Sequence, residues 1–143
     1  MSKLLVVLDT NVLISAAFGI PGSIPDKILQ FLKSQKFILI ISPSILEEIE
    51  DVINREAIIR RTKMSLKERE QFINNLIDIA FIVSGNLNLK VVKDDPDDDK
   101  FIVAAVEGYA QYIISGDKHL LNIKSYQGIK ILSPKNFVRL LIK

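Results

Sequence analysis

Residues 37–53, "FILIISPSILEEIEDVI", change period partway along, and that change decides the fold class. Phe37 to Ile41 is an unbroken apolar run rich in β-branched residues, the pattern of a strand buried on both faces. Ser42-Pro43-Ser44 then supplies turn and capping chemistry, and the spacing predicts a helix over about 44–55. At 100° per residue Ile45, Leu46, Ile49, Val52 and Ile53 fall on one stripe of that helix. A buried strand feeding a helix with one apolar face is the repeating unit of an α/β protein.

The same unit recurs on either side. "KLLVVL" (3–8), "AFIVS" (80–84), "YIIS" (112–115) and "IKIL" (129–132) read as further strands. Between them lie helical periods: 24–35, with Ile24, Ile28, Leu29 and Leu32 on one side and Pro25 near its start; 66–80; 98–110; and 135–142 after Pro134. Ser65 and Glu68 have the spacing of a capping box, and "GNLN" (85–88) reads as a turn. Alternation of this kind predicts a mostly parallel central sheet flanked by helices on both faces.

The 143 residues fit one domain, 1–143, with a real core. A formal net charge of +2 excludes a strong polyanion-binding field over the whole molecule. With no cysteine there is no disulfide framework and no thiolate metal site, which suits a reducing compartment. "LLVVL" and "FILII" are too short for a signal-peptide core or a bilayer span, so the expectation is a soluble cytoplasmic protein without membrane attachment.

In sheets of this class, sites gather beyond the carboxyl ends of the strands. Asp9 ends the first strand in "VVLDTN", with Thr10 and Asn11 just beyond. Asp117 follows the strand at 112–115 in "IISGD". "LKVVKDDPDDDK" brings five aspartates within six positions to the start of a helix. Capping and the helix dipole favour one or two of them, by about 0.3–1 kcal/mol each, but not five. On the helical wheel Phe101, Ile102, Ala105, Val106 and Tyr109 mark the buried side and Asp99 lies at its edge. Asp98 points inward if helical and is read instead as the N-cap. A further acid comes from "SPSILEEIEDVI": Glu47 lies opposite the apolar stripe, while Glu48 and Glu50 sit on its two edges, and geometry does not choose between them.

Asp9, one such glutamate, Asp99 and Asp117 in one pocket would gather a charge near −4, and some would stay protonated without compensation. An all-oxygen set suits Mg²⁺ or Mn²⁺, and such a site suits hydrolysis of a phosphodiester. "LDTNVLISA" (8–16), the acid in "SPSILEEIEDVI", "DDDKFIVAA" (97–105) and "IISGDKHLL" (113–121), in this order, together resemble the PIN domain, nearest to its VapC-like toxin branch. The resemblance covers nearly the whole chain and implies a three-layer α/β/α fold. Its motifs place the first acid on Asp9, with Thr10 and Asn11 beside it in the "DTN" motif. A pattern of the type L-x-E-[LI] selects Glu48. The third acid falls on Asp99, 18 positions before the fourth, Asp117, and Ser115 takes the hydroxyl position of [ST]-x-D. Asp95 and Asp98 are further candidates to touch metal or its waters.

The resemblance further implies a divalent-metal-dependent ribonuclease, frequent homodimers and, for VapC-like members, a small antitoxin partner. An RNA-processing or quality-control nuclease without an antitoxin, or a catalytically silent metal- or RNA-binding module, is the alternative. Arg55, Arg60, Arg61, Lys63, Lys67 and Arg69 form a basic cluster. Its default is a solvated face, and the first four are candidates for RNA-backbone contact. Ile58, Ile59, Phe72, Ile73 and Leu76 serve either a dimer seam or the core. His119, the single histidine, is read as a solvent-edge residue. A calcium loop built on Asp95, Asp97 and Asp99 fails at Lys100, where glycine is required, and at Val106, where glutamate is required. A receiver domain needs a pair of acids after its first strand, where this chain has Asp9 alone.

Overall fold

A computed structural model describes residues 3–142. The elements run β1 (Leu4–Leu8), α1 (Thr10–Ala17), α2 (Ile24–Lys33), β2 (Phe37–Ile41), α3 (Pro43–Ile53), α4 (Glu56–Thr62), α5 (Leu66–Ile79) and β3 (Phe81–Ile82). A 3₁₀ turn at Pro96–Asp98 then leads directly into α6 (Asp99–Glu107), followed by β4 (Tyr112–Ile114), α7 (Lys118–Leu121), β5 (Ser125–Tyr126), β6 (Ile129–Leu132) and α8 (Pro134–Leu141). The strands form one six-stranded sheet in the order β3-β2-β1-β4-β6-β5. Every pairing is parallel except β5 with β6. Helices cover both faces, giving the expected three-layer α/β/α architecture.

Serine starts the helices. Ser23, Ser42, Ser65 and Ser133 each accept a backbone N–H of the first turn of α2, α3, α5 and α8, supplying a partner that the helix cannot supply itself. The capping box at Ser65 and Glu68 is complete. The central strands are buried through Val6, Val7, Leu39, Ile40, Ile41, Ile113 and Ile114. Helix α6 lies against β1, β2 and β4, and Phe101 to Ala105 are all buried. Close approach depends on Gly108, where an added Cβ would sit 2.6 Å from Ile40 Cγ2. Leu76 is buried, and Ile58, Phe72 and Ile73 pack partly against the core.

Three expectations change. The strand expected at 80–84 is a two-residue edge strand with both side chains exposed, because only β2 flanks it. Tyr109, expected on the buried side of α6, is 85 % exposed: the helix stops at Glu107 and Tyr109 takes a left-handed φ of 56°, which swings it outward. The basic stretch after α3 contains a helix of its own, α4, which the charge pattern masked. Residues 83–92 have neither helix nor strand. Two carboxylates of α6 hold this run. Glu107 accepts from Gly85 N (2.8 Å), Leu87 N (2.9 Å) and Ser84 Oγ (2.9 Å), and Asp99 Oδ1 accepts from Val91 N (2.9 Å) and Val92 N (2.8 Å). Donation from the Leu87 amide, against a weaker desolvation, holds the Glu107 carboxyl below its usual range.

Candidate active site

From β1 the chain steps to β2 and β3 on one side, and later to β4 and β6 on the other. The reversal lies between β1 and β4, and beyond their carboxyl ends an α/β sheet opens a crevice. The two strand ends are locked together by Asp9 N donating to the Ile114 carbonyl at 3.0 Å. Asp9 and Asp117 each begin a helix at these ends, α1 and α7, as N-caps.

Asp9 is buried. Its Oδ1 accepts from Val12 N (3.0 Å), and its Oδ2 accepts from the buried Ser115 hydroxyl. Ser115 Oγ in turn accepts from Asp117 N at 2.9 Å, so one hydroxyl ties the two strand-end acids together. Burial pushes the Asp9 carboxyl up, opposed by the Ser115 hydrogen bond. Asp117 Oδ1 accepts from His119 N at 2.8 Å. His119 stays at the solvent edge, its Nδ1 3.7 Å from the exposed Asp94 Oδ2.

Helix α3 brings Glu48 to the opposite wall, where Oε1 accepts from Lys100 Nζ (2.9 Å) and Oε2 accepts from the Thr10 hydroxyl. Glu50 lines a separate groove with Asn54, Leu66 and Arg69. Of the two acids that helical geometry left open, Glu48 enters the site. Together Asp9, Thr10, Asn11, Glu48, Arg55, Asp95, Asp98 and Asp117 line a cleft of about 210 Å³ floored by Val52 and Phe101.

The expected third acid does not line the cleft: the Asp99 carboxylate is turned to the Val91 and Val92 amides, and its neighbour Asp98 lines the cleft instead. It is not an extended N-cap: it closes the 3₁₀ turn with φ −82° and ψ −7°, and its side chain caps nothing. The wheel's inward direction for a helical residue 98 therefore applies. Asp95, Asp98 and Asp117 each bring a carboxylate oxygen within 4.8 Å of the others. Asp98 Oδ2 is buried without a hydrogen-bond partner. Desolvation, followed by the charges of Asp95, Asp117, Asp9 and Glu48, pushes the Asp98 carboxyl up to about 7.

A carboxylate with an orphaned buried oxygen, set beside two more acids, is what a divalent cation offsets, and the all-oxygen donor set fits Mg²⁺ or Mn²⁺. Of the four basic residues expected to contact RNA, Arg55 reaches the cleft, held to Asp51 at 2.7 Å. Arg60 pairs with Glu56 at 3.5 Å, Arg61 lies 5.6 Å over the Phe18 ring, and Lys63 ends α4; none of these three lines the cleft. The sequence reading missed Lys100, which entered it only as a residue that spoils a calcium loop. Its signal was its place in the acid-rich helix start.

The family model described as the PIN domain matches residues 5–119. The uncharacterized protein MJ1680 of Methanocaldococcus jannaschii is 33% identical over 147 residues, covering 95% of this chain and 90% of that protein. A chain in the crystal structure of VapBC2 from Rickettsia felis, bound to a DNA fragment from their promoter, superposes with a TM-score of 0.57 at 13% identity, covering 91% of this chain and 98% of that one. The fold, the motif order and the family match agree: the chain belongs to the PIN-domain family.

Proposed function

We propose that this protein is a divalent-metal-dependent ribonuclease that hydrolyses RNA phosphodiester bonds, and that it is the toxin of a toxin–antitoxin pair. One observation carries the nuclease reading: the Asp98 carboxylate, whose buried Oδ2 is unpartnered, comes within 4.8 Å of those of Asp95 and Asp117 at the strand-end crevice of a PIN-domain chain. Asp95, Asp98 and Asp117 would hold Mg²⁺ or Mn²⁺. When bound, such an ion lowers the pKa of a coordinated water and draws charge from a phosphoryl oxygen. Asp9, fixed by Ser115 and the Val12 amide, completes that wall of the cleft, with Asn11 at its mouth. Glu48 stands opposite, where a carboxylate can orient an attacking water. Arg55 lines the same cleft and is placed to meet a backbone phosphate. The antitoxin, an assembly as a homodimer and a cytoplasmic setting belong to the same reading. The first is supported by the likeness to a chain of a VapBC2 structure, and no helix among the described residues is long and apolar enough to cross a membrane.

The test is cleavage of a panel of single-stranded and structured RNAs with Mn²⁺ or Mg²⁺, with chelator, and by Asp98→Asn and Asp117→Asn. Chelation should abolish cleavage, and each substitution should lower its rate by about a hundredfold or more, the scale of losing one electrostatic partner in a catalytic site. Cleavage that survives the chelator and both substitutions overturns the nuclease reading. Co-expression with the product of a neighbouring small open reading frame tests the toxin reading: a stable complex that suppresses cleavage is the expected result.

A further inference from the structure

We infer that Lys100 is a positioning residue of the cleft: its ammonium is a resident counter-charge that fixes Glu48 on the α3 wall and keeps that carboxylate out of the metal's ligand set. The inference rests on the metal-nuclease reading above and deepens it. Lys100 follows the acid run and sits in the first turn of α6; it does not itself line the cleft, but its long side chain reaches Glu48 of α3, which does. Its Nζ meets Glu48 Oε1 at 2.9 Å, with the two side chains only 21% and 27% exposed. The other oxygen of Glu48 is taken by the Thr10 hydroxyl. Both carboxylate oxygens therefore have protein donors, whereas Asp98 Oδ2 on the facing wall has none. The three acids whose oxygens approach one another are Asp95, Asp98 and Asp117, and Glu48 is not among them.

The cleft is thus divided by charge. One wall lacks a cation and suits an added one; the other already carries a cation from the chain itself. A half-buried carboxylate paired in this way is held in one direction, and losing the ammonium would leave it both unpaired and free to turn. Glu48 then orients water or substrate from a fixed position, and Lys100 acts through it.

The experiment is calorimetric titration of Mn²⁺ into the metal-free full chain, with bound ions counted by electron paramagnetic resonance. Wild type, Asp98→Asn, Lys100→Met, Lys100→Arg and the double variant Lys100→Met/Glu48→Gln are compared. In Lys100→Met the cleft gains one net negative charge and a free carboxylate, so Mn²⁺ should bind about tenfold tighter. With metal saturating, kcat should fall about tenfold, because Glu48 is no longer held. Lys100→Arg should keep both values within about twofold, since it retains the charge and the donor. The double variant should lose the gain in affinity. Opposite movements of metal affinity and kcat separate positioning from a merely structural role, which would lower both. An unchanged Kd in Lys100→Met, or a double variant as tight as Lys100→Met, overturns the inference. Uptake by wild type that Asp98→Asn abolishes would leave the nuclease reading standing in that case; no uptake by wild type overturns both. If Lys100→Met fails to fold by circular dichroism, Lys100→Gln is titrated in its place under the same expectations.

Discussion

Asp98 carries its carboxyl group among four other acids, and the first physical consequence is a retained proton. Its ordinary value of 3.8 rises to about 7 in the metal-free fold, chiefly through desolvation and then through its neighbours' charges. An acid with a raised folded-state value binds protons more tightly folded than unfolded. Between the two values the native state holds the extra proton, so stability falls as pH rises through that window and levels off above it. Asp9 is shifted in the same direction. We therefore expect the thermal midpoint, measured in chelator, to fall between pH 5 and pH 8, and Asp98→Asn to flatten most of that slope. Mn²⁺ affinity should rise with pH up to about 7, since the metal must displace the same proton. Asp99 separates cleanly from its neighbour. Asp99→Ala removes the acceptor of two amides and should cost about 1–3 kcal/mol in denaturant titration, while Mn²⁺ uptake persists. The sequence carried this pair only halfway. Helical direction put residue 98 inward, but "DPDDD" does not distinguish an extended cap from a 3₁₀ turn, and the 18-residue interval to Asp117 favoured Asp99, whose side chain turns away from the cleft.

Strand and helix periods differ enough that the alternation was legible wherever an element was long. Phe37–Ile41 followed by α3, and Ser65 followed by α5, emerge within a residue or two of their expected bounds. Short elements carry too few repeats to show a period, which is why α1, α4, α7 and β5 were not read and β3 was read too long. The end of α6 shows another limit. Its apolar wheel runs on through Tyr109, yet the helix closes at Glu107, because Tyr109 takes the left-handed conformation and the Tyr109 and Ala110 amides turn back to the carbonyls of Val106 and Ala105. Gly108 then allows α6 to touch β2. Gly108→Ala should destabilise the protein by about 1–3 kcal/mol, the usual cost of overpacking, because its Cβ meets the Ile40 side chain at 2.6 Å. Equilibrium urea unfolding checks this, with no change expected in Mn²⁺ affinity.

Over the whole molecule, a net charge of +2 conceals a separation: acids crowd the crevice while Arg55 and the α4 cations stand beside and beyond it. A polyanion held by those cations should show salt-dependent affinity. Replacing Arg55, Arg60 and Arg61 together by Ala should reduce the slope of log K against log salt by about 2 for single-stranded RNA, at roughly 0.7 for each phosphate no longer neutralised, as measured by anisotropy on the Asp98→Asn protein. A slope unchanged from that of the parent would place the RNA elsewhere. The sheet order has a consequence of another kind, in time. The hydroxyl of Ser115 reaches Asp9 across 106 residues of chain, and β1 finds its second neighbour only when β4 has been made. At about 5–20 residues per second, a ribosome exposes the bare flank of β1 for roughly 5–20 s before that partner emerges. A nascent chain stalled in that interval has not yet closed the crevice between β1 and β4, and its open strand edge is exposed to pairing with another chain.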